Sequence, residues 1–234
     1  MSLIAFIIGA GQNIGQHTAA ALKAKGYQVA LGSRKPVVEQ VRKDGYFPVA
    51  VDAESPESIQ AAFAQINKDL GPPSVVIFNA AVVVPAPTPE DPLTLSVADF
   101  KRQTDVGVSV YAAAQEAVKG FRTEALKNAQ KTFITTGNAL PWLPAANGAR
   151  IGLNIQKVLE WRLSEIFSNV YAKEGARFYF ASLVGDTGSF VDPITNFFTS
   201  GPQHAQVYLE LITRKDQADW DYRFTLEGKQ WIRK

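Results

Sequence analysis

The sequence predicts an α/β fold: one doubly wound parallel sheet with helices on both faces, built as a single domain over residues 1–234. Short β-branched apolar runs alternate with longer stretches of helical periodicity, the pattern of repeated strand–helix units. A glycine-rich turn follows the first run directly. No linker, repeat or low-complexity tract divides the chain. At 234 residues, 46% apolar and 20% charged, it is large enough to close its own core and short for two such domains.

Leu3–Ile8 reads as a strand buried on both faces. Asn13 to Lys25 follows as a helix that packs through Ala19, Ala20 and Leu22 and closes at Gly26. Tyr27–Leu31 is the second strand, Pro36–Lys43 a short helix opened by proline, and Tyr46–Val51 the third strand. Ser55-Pro56-Glu57-Ser58 starts a helix reaching Leu70, which Gly71-Pro72-Pro73 stops. Ser74–Phe78 is the fourth strand, with a proline-rich loop over Val84–Pro92 beyond it. A long helix over Ser96–Lys119 leads to strand five at Thr132–Thr135; another over Gly152–Lys173 leads to strand six at Arg177–Ser182. After a looser section at Gly185–Gly201 come a helix near Ala205–Thr213 and a last strand at Tyr222–Leu226.

Composition removes several function classes. A formal charge of +2 with only short basic clusters argues against a nucleic-acid or polybasic membrane surface. Without cysteine there are no disulfides, thiolate metal sites or cysteine nucleophiles. His17 and His204 are too far apart for a metal-spacing pattern. The apolar start Leu3–Ala10 lacks a basic flank and runs into a glycine turn, so it reads as a strand and not a signal peptide. No apolar run is long enough to span a bilayer, and a cytoplasmic protein is expected.

The turn Gly9-Ala10-Gly11-Gln12-Asn13-Ile14-Gly15 lies between a strand and a helix. Such a turn gathers backbone N–H groups and a helix N-terminus at one point, which suits a pyrophosphate and marks a Rossmann fold. Gly9 permits the tight turn, Gly11 close approach, and Gly15 helix packing on the sheet. At the end of the second strand a dinucleotide site carries an acid for ribose hydroxyls or a cation for a 2′-phosphate. Here the segment is Gly32-Ser33-Arg34-Lys35, without a carboxylate. Arg34 offers a planar fork, with Ser33 and Lys35 assisting, so the expected cofactor is NADP(H).

These features, with Val51-Asp52 after strand three and Phe78-Asn79-Ala80-Ala81 after strand four, resemble the short-chain dehydrogenase/reductase family along essentially the whole chain. The resemblance implies that Asp52 contacts adenine and that Asn79, Ala80 and Ala81 steady the central strand and line the cofactor. The family's turn is TGxxxGxG; here Ile8 replaces its threonine and Asn13 its middle glycine. Its reaction uses a tyrosine, a lysine one helical turn later that lowers the tyrosine's pKa, a serine or threonine, and an asparagine. Thr136 matches the serine position. Counting forward places Ala149 at the tyrosine slot and Leu153 at the lysine slot; a one-residue slip gives Arg150 and Asn154. No tyrosine lies between Tyr111 and Tyr171, and the asparagine slot falls at Gly107.

The remaining candidates each carry two readings. Thr136 can bond a substrate oxygen or simply close a strand. Arg150 and Asn154 can polarise a carbonyl or serve as polar residues at a helix start. Lys157 points the right way about 5 Å farther along its helix, or is a solvated or ion-paired lysine. Asp105 and Tyr111 flank the lost asparagine, Tyr111 reading as core or interface, and His17 reads as a surface residue. Trp142 in Pro141-Trp142-Leu143-Pro144, the Val82–Pro87 loop, Phe190, Phe197 and Phe198 can wall an apolar pocket for a hydrophobic small-molecule substrate, or pack on the core. The expected activity is reduction of a hydrophobic carbonyl or conjugated compound. The alternatives are non-redox dehydration, isomerisation or cyclisation, or NADP(H) sensing by a pseudoenzyme. The resemblance also implies a homodimer or homotetramer joined through Phe121, Val118 and Tyr111 on one long helix and Trp161 and Ile166 on the other.

Overall fold

The computed structural model describes residues 3–143, 148–192 and 196–232. Strands β1 (Ile4–Ile8), β2 (Gln28–Ser33), β3 (Phe47–Ala50), β4 (Val75–Phe78), β5 (Lys131–Thr136), β6 (Ala176–Leu183) and β7 (Asp221–Phe224) form one sheet. Their order is β3-β2-β1-β4-β5-β6-β7, and every pairing is parallel. The helices are α1 (Ile14–Ala24), α2 (Val38–Lys43), α3 (Pro56–Asp69), α4 (Val97–Phe121), α5 (Ile151–Tyr171) and α6 (Gly201–Thr213). The expected fold class is therefore the observed one.

Both faces of the sheet are buried because successive side chains point to opposite sides. Phe6, Ile8, Val76, Phe78, Phe133 and Phe178 face one layer, where Phe63 of α3 and Val106 and Val110 of α4 join them. Ala5, Ile7, Ile77, Ile134 and Tyr179 face the other, against Leu22 of α1 and Val207, Tyr208 and Leu211 of α6. Each such large side chain contributes about 1.5–3 kcal/mol through burial.

Caps and close approaches fix the helices. The hydroxyls of Ser55 and Ser96 accept from the N–H groups of Ser58 and Asp99, starting α3 and α4 where the serines predict. A Cβ on Gly107 would lie 2.7 Å from Leu159, so this glycine sets the contact between α4 and α5. Two starts differ from expectation. Helix α2 begins at Val38 with Val37 at its cap, leaving Pro36 outside. Helix α6 begins at Gly201, not Ala205, because Pro202 fits its first turn and the Asn13 side chain accepts the Gly201 N–H at 2.7 Å.

The proposed interface residues also separate. Phe121 and Val118 are buried in the subunit's own core, since α4 packs on the sheet and on two helices. Trp161 packs on Trp220 with ring centroids 5.0 Å apart. Tyr111 and Ile166 are exposed.

Candidate functional site

In an open parallel sheet the crevice forms where strand order reverses, here between the C-terminal ends of β1 and β4. A groove of about 350 Å³ runs there, lined by Gly9, Ala10, Gly11, Ser33, Arg34, Asp52, Glu54, Asn79, Ala80 and Ala81 among others. Of the residues that the sequence singles out for cofactor binding, Gly9, Gly11, Ser33, Arg34, Asp52, Asn79, Ala80 and Ala81 line this one groove, while Gln12, Asn13, Ile14, Gly15 and Lys35 are not part of its lining.

Gly9 has φ +90°, and a Cβ there would lie 2.7 Å from the Ala80 nitrogen, so the turn passes hard against β4. Gly11 has open space where a side chain would project. The N–H groups of Gln12, Asn13, Ile14 and Gly15 have no backbone acceptor among the described residues. They are the orphan donors of a helix start with no side-chain cap and no acid in its first turn. Such a cradle fits a dinucleotide's pyrophosphate. The Asn13 side chain does not face it: its amide donates to the Phe197 carbonyl at 2.8 Å and accepts from Gly201. Lys35 is exposed and lies off the groove lining, while Arg34 and Ser33 form the rim.

A polar chain ties the strand ends together. Tyr208 donates to Thr136 at 2.8 Å, Thr136 donates to the Asn79 side-chain oxygen at 2.9 Å, and the Asn79 amide donates to the Gly9 carbonyl at 2.8 Å. Asn79 thus links the turn after β1 to the end of β5. The Tyr208 phenol is fully buried, and desolvation pushes its pKa up against the lowering effect of the Thr136 bond. It therefore holds its proton. Sequence reasoning missed this residue, which is in α6 and far from Thr136 along the chain.

Lys157 is not a solvated lysine. It is 5% exposed, donates to the Thr136 carbonyl at 3.0 Å, and pairs with buried Glu160 at 2.7 Å. The second Glu160 oxygen accepts from Gln156 at 2.7 Å. Burial raises the Glu160 pKa, while Lys157 and Gln156 oppose that shift. Of the other positions at the start of α5, Ala149 gives its carbonyl to the Ala86 N–H, Leu153 is buried, Arg150 is exposed and Asn154 half-buried. The buried Gln103 amide donates to the Val84 carbonyl and accepts from its N–H, pinning the loop beside α5.

Of the aromatic residues expected to wall a pocket, Phe197 and Phe198 meet edge-on with ring centroids 5.7 Å apart. Trp142 stacks on the Arg223 guanidinium at 3.5 Å and donates to the Gly188 carbonyl. Phe197 packs on His204, while Phe190 and Phe198 are exposed. Pro144 lies outside the described residues. Asp105 pairs with Lys101, and His17 is an exposed residue bonded to the Asn13 carbonyl.

The sequence reading missed two further residues: Glu54, which lines the groove, and Arg102 of α4, which binds it. The Glu54 carboxylate binds Arg102 through Nε at 2.8 Å and Nη2 at 3.3 Å, and lies 3.8 Å from Arg34. Glu54, in the segment after β3, thus places a carboxylate on the groove beside Arg34.

Residues 9–141 match the family described as enoyl-(acyl carrier protein) reductase. A short chain dehydrogenase/reductase of Cryptosporiopsis sp. (strain 8999) is 30% identical over 230 residues, covering 94% of this chain and 90% of the relative. Among solved structures, a metagenomic short-chain oxidoreductase in complex with NADP superposes with a TM-score of 0.77 at 19% identity, covering 96% of this chain and 98% of that one. A 3-ketoacyl-(acyl-carrier-protein) reductase from Brucella melitensis complexed with NADH gives 0.77 at 17%, covering 98% of each chain. The fold, the crevice at the β1–β4 junction and these matches agree: the chain belongs to the short-chain dehydrogenase/reductase family of oxidoreductases.

Proposed function

We propose that this chain is a cytosolic, NADP(H)-dependent reductase acting on a hydrophobic carbonyl or conjugated small molecule. One observation supports the cofactor most strongly: the Gly9–Gly11 turn and Arg34 line one groove, and the orphan N–H groups of Gln12–Gly15 follow that turn directly. The N–H groups take the pyrophosphate and Arg34, aided by Ser33, takes the 2′-phosphate. Asp52, Asn79, Ala80 and Ala81 line the nucleoside side. When bound, the nicotinamide supplies hydride.

The chain's own contribution is mainly orientation. The Tyr208–Thr136–Asn79–Gly9 chain and the Lys157 bond to the Thr136 carbonyl fix the strand ends against the glycine turn. Arg150 and Asn154 lie one helical turn apart, where they offer cationic and amide donors to a developing oxyanion. The Thr136 proton is held by Asn79, so passing it to a substrate oxygen requires breaking that bond. With Ala149 and Leu153 at the slots of the family's tyrosine and lysine, proton delivery is weak and costs about 10²–10⁴-fold in rate. A conjugated acceptor tolerates this best, because its charge delocalises before protonation. Two copies pair through the outer faces of α4 and α5, where Val108, Tyr111, Ile166 and Val170 are exposed.

The test is turnover of NADPH with a panel of carbonyl and enone compounds, followed at the nicotinamide absorbance band. Oxidation dependent on an enone or ketone supports the reading. Tight binding without oxidation by any of them points instead to non-redox catalysis or nucleotide sensing.

A further inference from the structure

Arg34 does not stand alone on the rim of the groove. Its side chain is 71% exposed and reaches toward Glu54, whose side chain is 17% exposed, at 3.8 Å. Glu54 is held more firmly by Arg102 of α4, through two nitrogens at 2.8 and 3.3 Å. The bond from Glu54 raises the Arg102 pKa, the mark of a guanidinium committed to a carboxylate. Glu54 is itself placed by its backbone, whose N–H donates to the Asp52 carboxylate at 3.0 Å. Two guanidinium groups, one from the end of β2 and one from α4, therefore share the Glu54 carboxylate at the groove.

We propose that Glu54 sets how strongly the groove discriminates between NADP(H) and NAD(H), with Arg102 controlling how much of its charge reaches Arg34. This inference rests on the assignment of Arg34 to the 2′-phosphate. The Arg34–Glu54 contact is long and solvated, so it is weak and a phosphate that offers a bidentate acceptor displaces it. The carboxylate nevertheless remains beside the phosphate and repels it, reducing the preference. An unphosphorylated ribose meets no such repulsion, and its hydroxyl finds in Glu54 the acceptor that β2 lacks. Arg102 offsets the carboxylate; without it, Glu54 turns its full charge on Arg34 and on the incoming phosphate.

The test is fluorescence titration with NADPH and NADH of the intact protein and the variants Glu54→Gln, Arg102→Leu and Arg34→Leu, at one salt concentration. The readout is the ratio of the two affinities, which a general loss of folded protein does not move. Glu54→Gln should raise the ratio in favour of NADPH by about fivefold, and Arg102→Leu should lower it by about threefold. Ratios within about twofold of the parent in both variants overturn the inference, as does a fall with Glu54→Gln. Arg34→Leu separates the two levels. If it abolishes the preference while the other variants do nothing, only the role of Glu54 fails. If it leaves the ratio unchanged, the assignment of Arg34 fails and the inference fails with it.

Discussion

Acidification should weaken this fold through one side chain, His204 of α6. The ring is fully buried, its Nδ1 donates to the Ser200 carbonyl at 2.9 Å, and its Nε2 has no partner. Phe197, Tyr208 and Phe224 enclose it edge-on, with centroids 6.2, 5.7 and 5.0 Å away. A second proton would place a charge among aromatic rings with no acceptor. Burial therefore lowers the pKa from 6.5 to about 4, partly opposed by the Ser200 bond. That difference corresponds to about 3 kcal/mol at about 1.36 kcal/mol per pH unit. The folded pKa is depressed, so this stability is complete above the unfolded value. It falls as pH drops from 6.5 toward about 4, because only the unfolded chain takes up the proton in that window. Urea unfolding across this range should show the parent losing about 3 kcal/mol more than His204→Phe, which cannot titrate. Parallel pH curves for the two proteins, or an imidazole NMR titration of His204 centred near 6.5, would refute the reasoning.

Other perturbations test the polar groups below and beside the groove. Glu160→Gln leaves Lys157 charged and buried without its carboxylate, so urea unfolding should show a loss of about 3–5 kcal/mol. The double variant Lys157→Met/Glu160→Leu should recover most of it, and equal losses in both would contradict the burial argument. Tyr208→Phe removes one bond to Thr136 and should cost about 1 kcal/mol. Thr136→Val strands both Tyr208 and Asn79 and should cost about 2–4 kcal/mol with weaker NADPH binding, read by denaturation and titration. Tyr111→Glu together with Ile166→Glu should yield a monomer by sedimentation if the α4–α5 faces pair; an unchanged assembly would place the interface elsewhere.

The fold was legible because strand runs and helix periodicity were unambiguous and the glycine turn sat straight after the first strand. The turn, Asn79 and Arg34 could be located since each is at the C-terminal end of a strand, and parallel strands deliver those ends to one edge. What escaped depended on contacts between elements. Glu54 follows β3 and Arg102 lies in α4, so nothing near Arg34 in sequence announces their charge. Tyr208 reaches Thr136 from a helix on the far layer, and Lys157, which reads as solvated or ion-paired, proves to be the ion-paired lysine, buried against Glu160. The interface choice failed at Phe121 and Val118 because α4 is apolar around much of its circumference. Hydrophobicity alone could not identify its outward face. Trp142 stacks on a cation in β7, a partner that no local pattern marks.

The most direct measurement is a calorimetric titration of the intact protein with NADPH and NADH, side by side at fixed ionic strength. Arg34 on the groove rim should make NADPH bind tighter, by about tenfold. Equal or tighter binding of NADH would contradict the assignment of the groove to a 2′-phosphorylated dinucleotide.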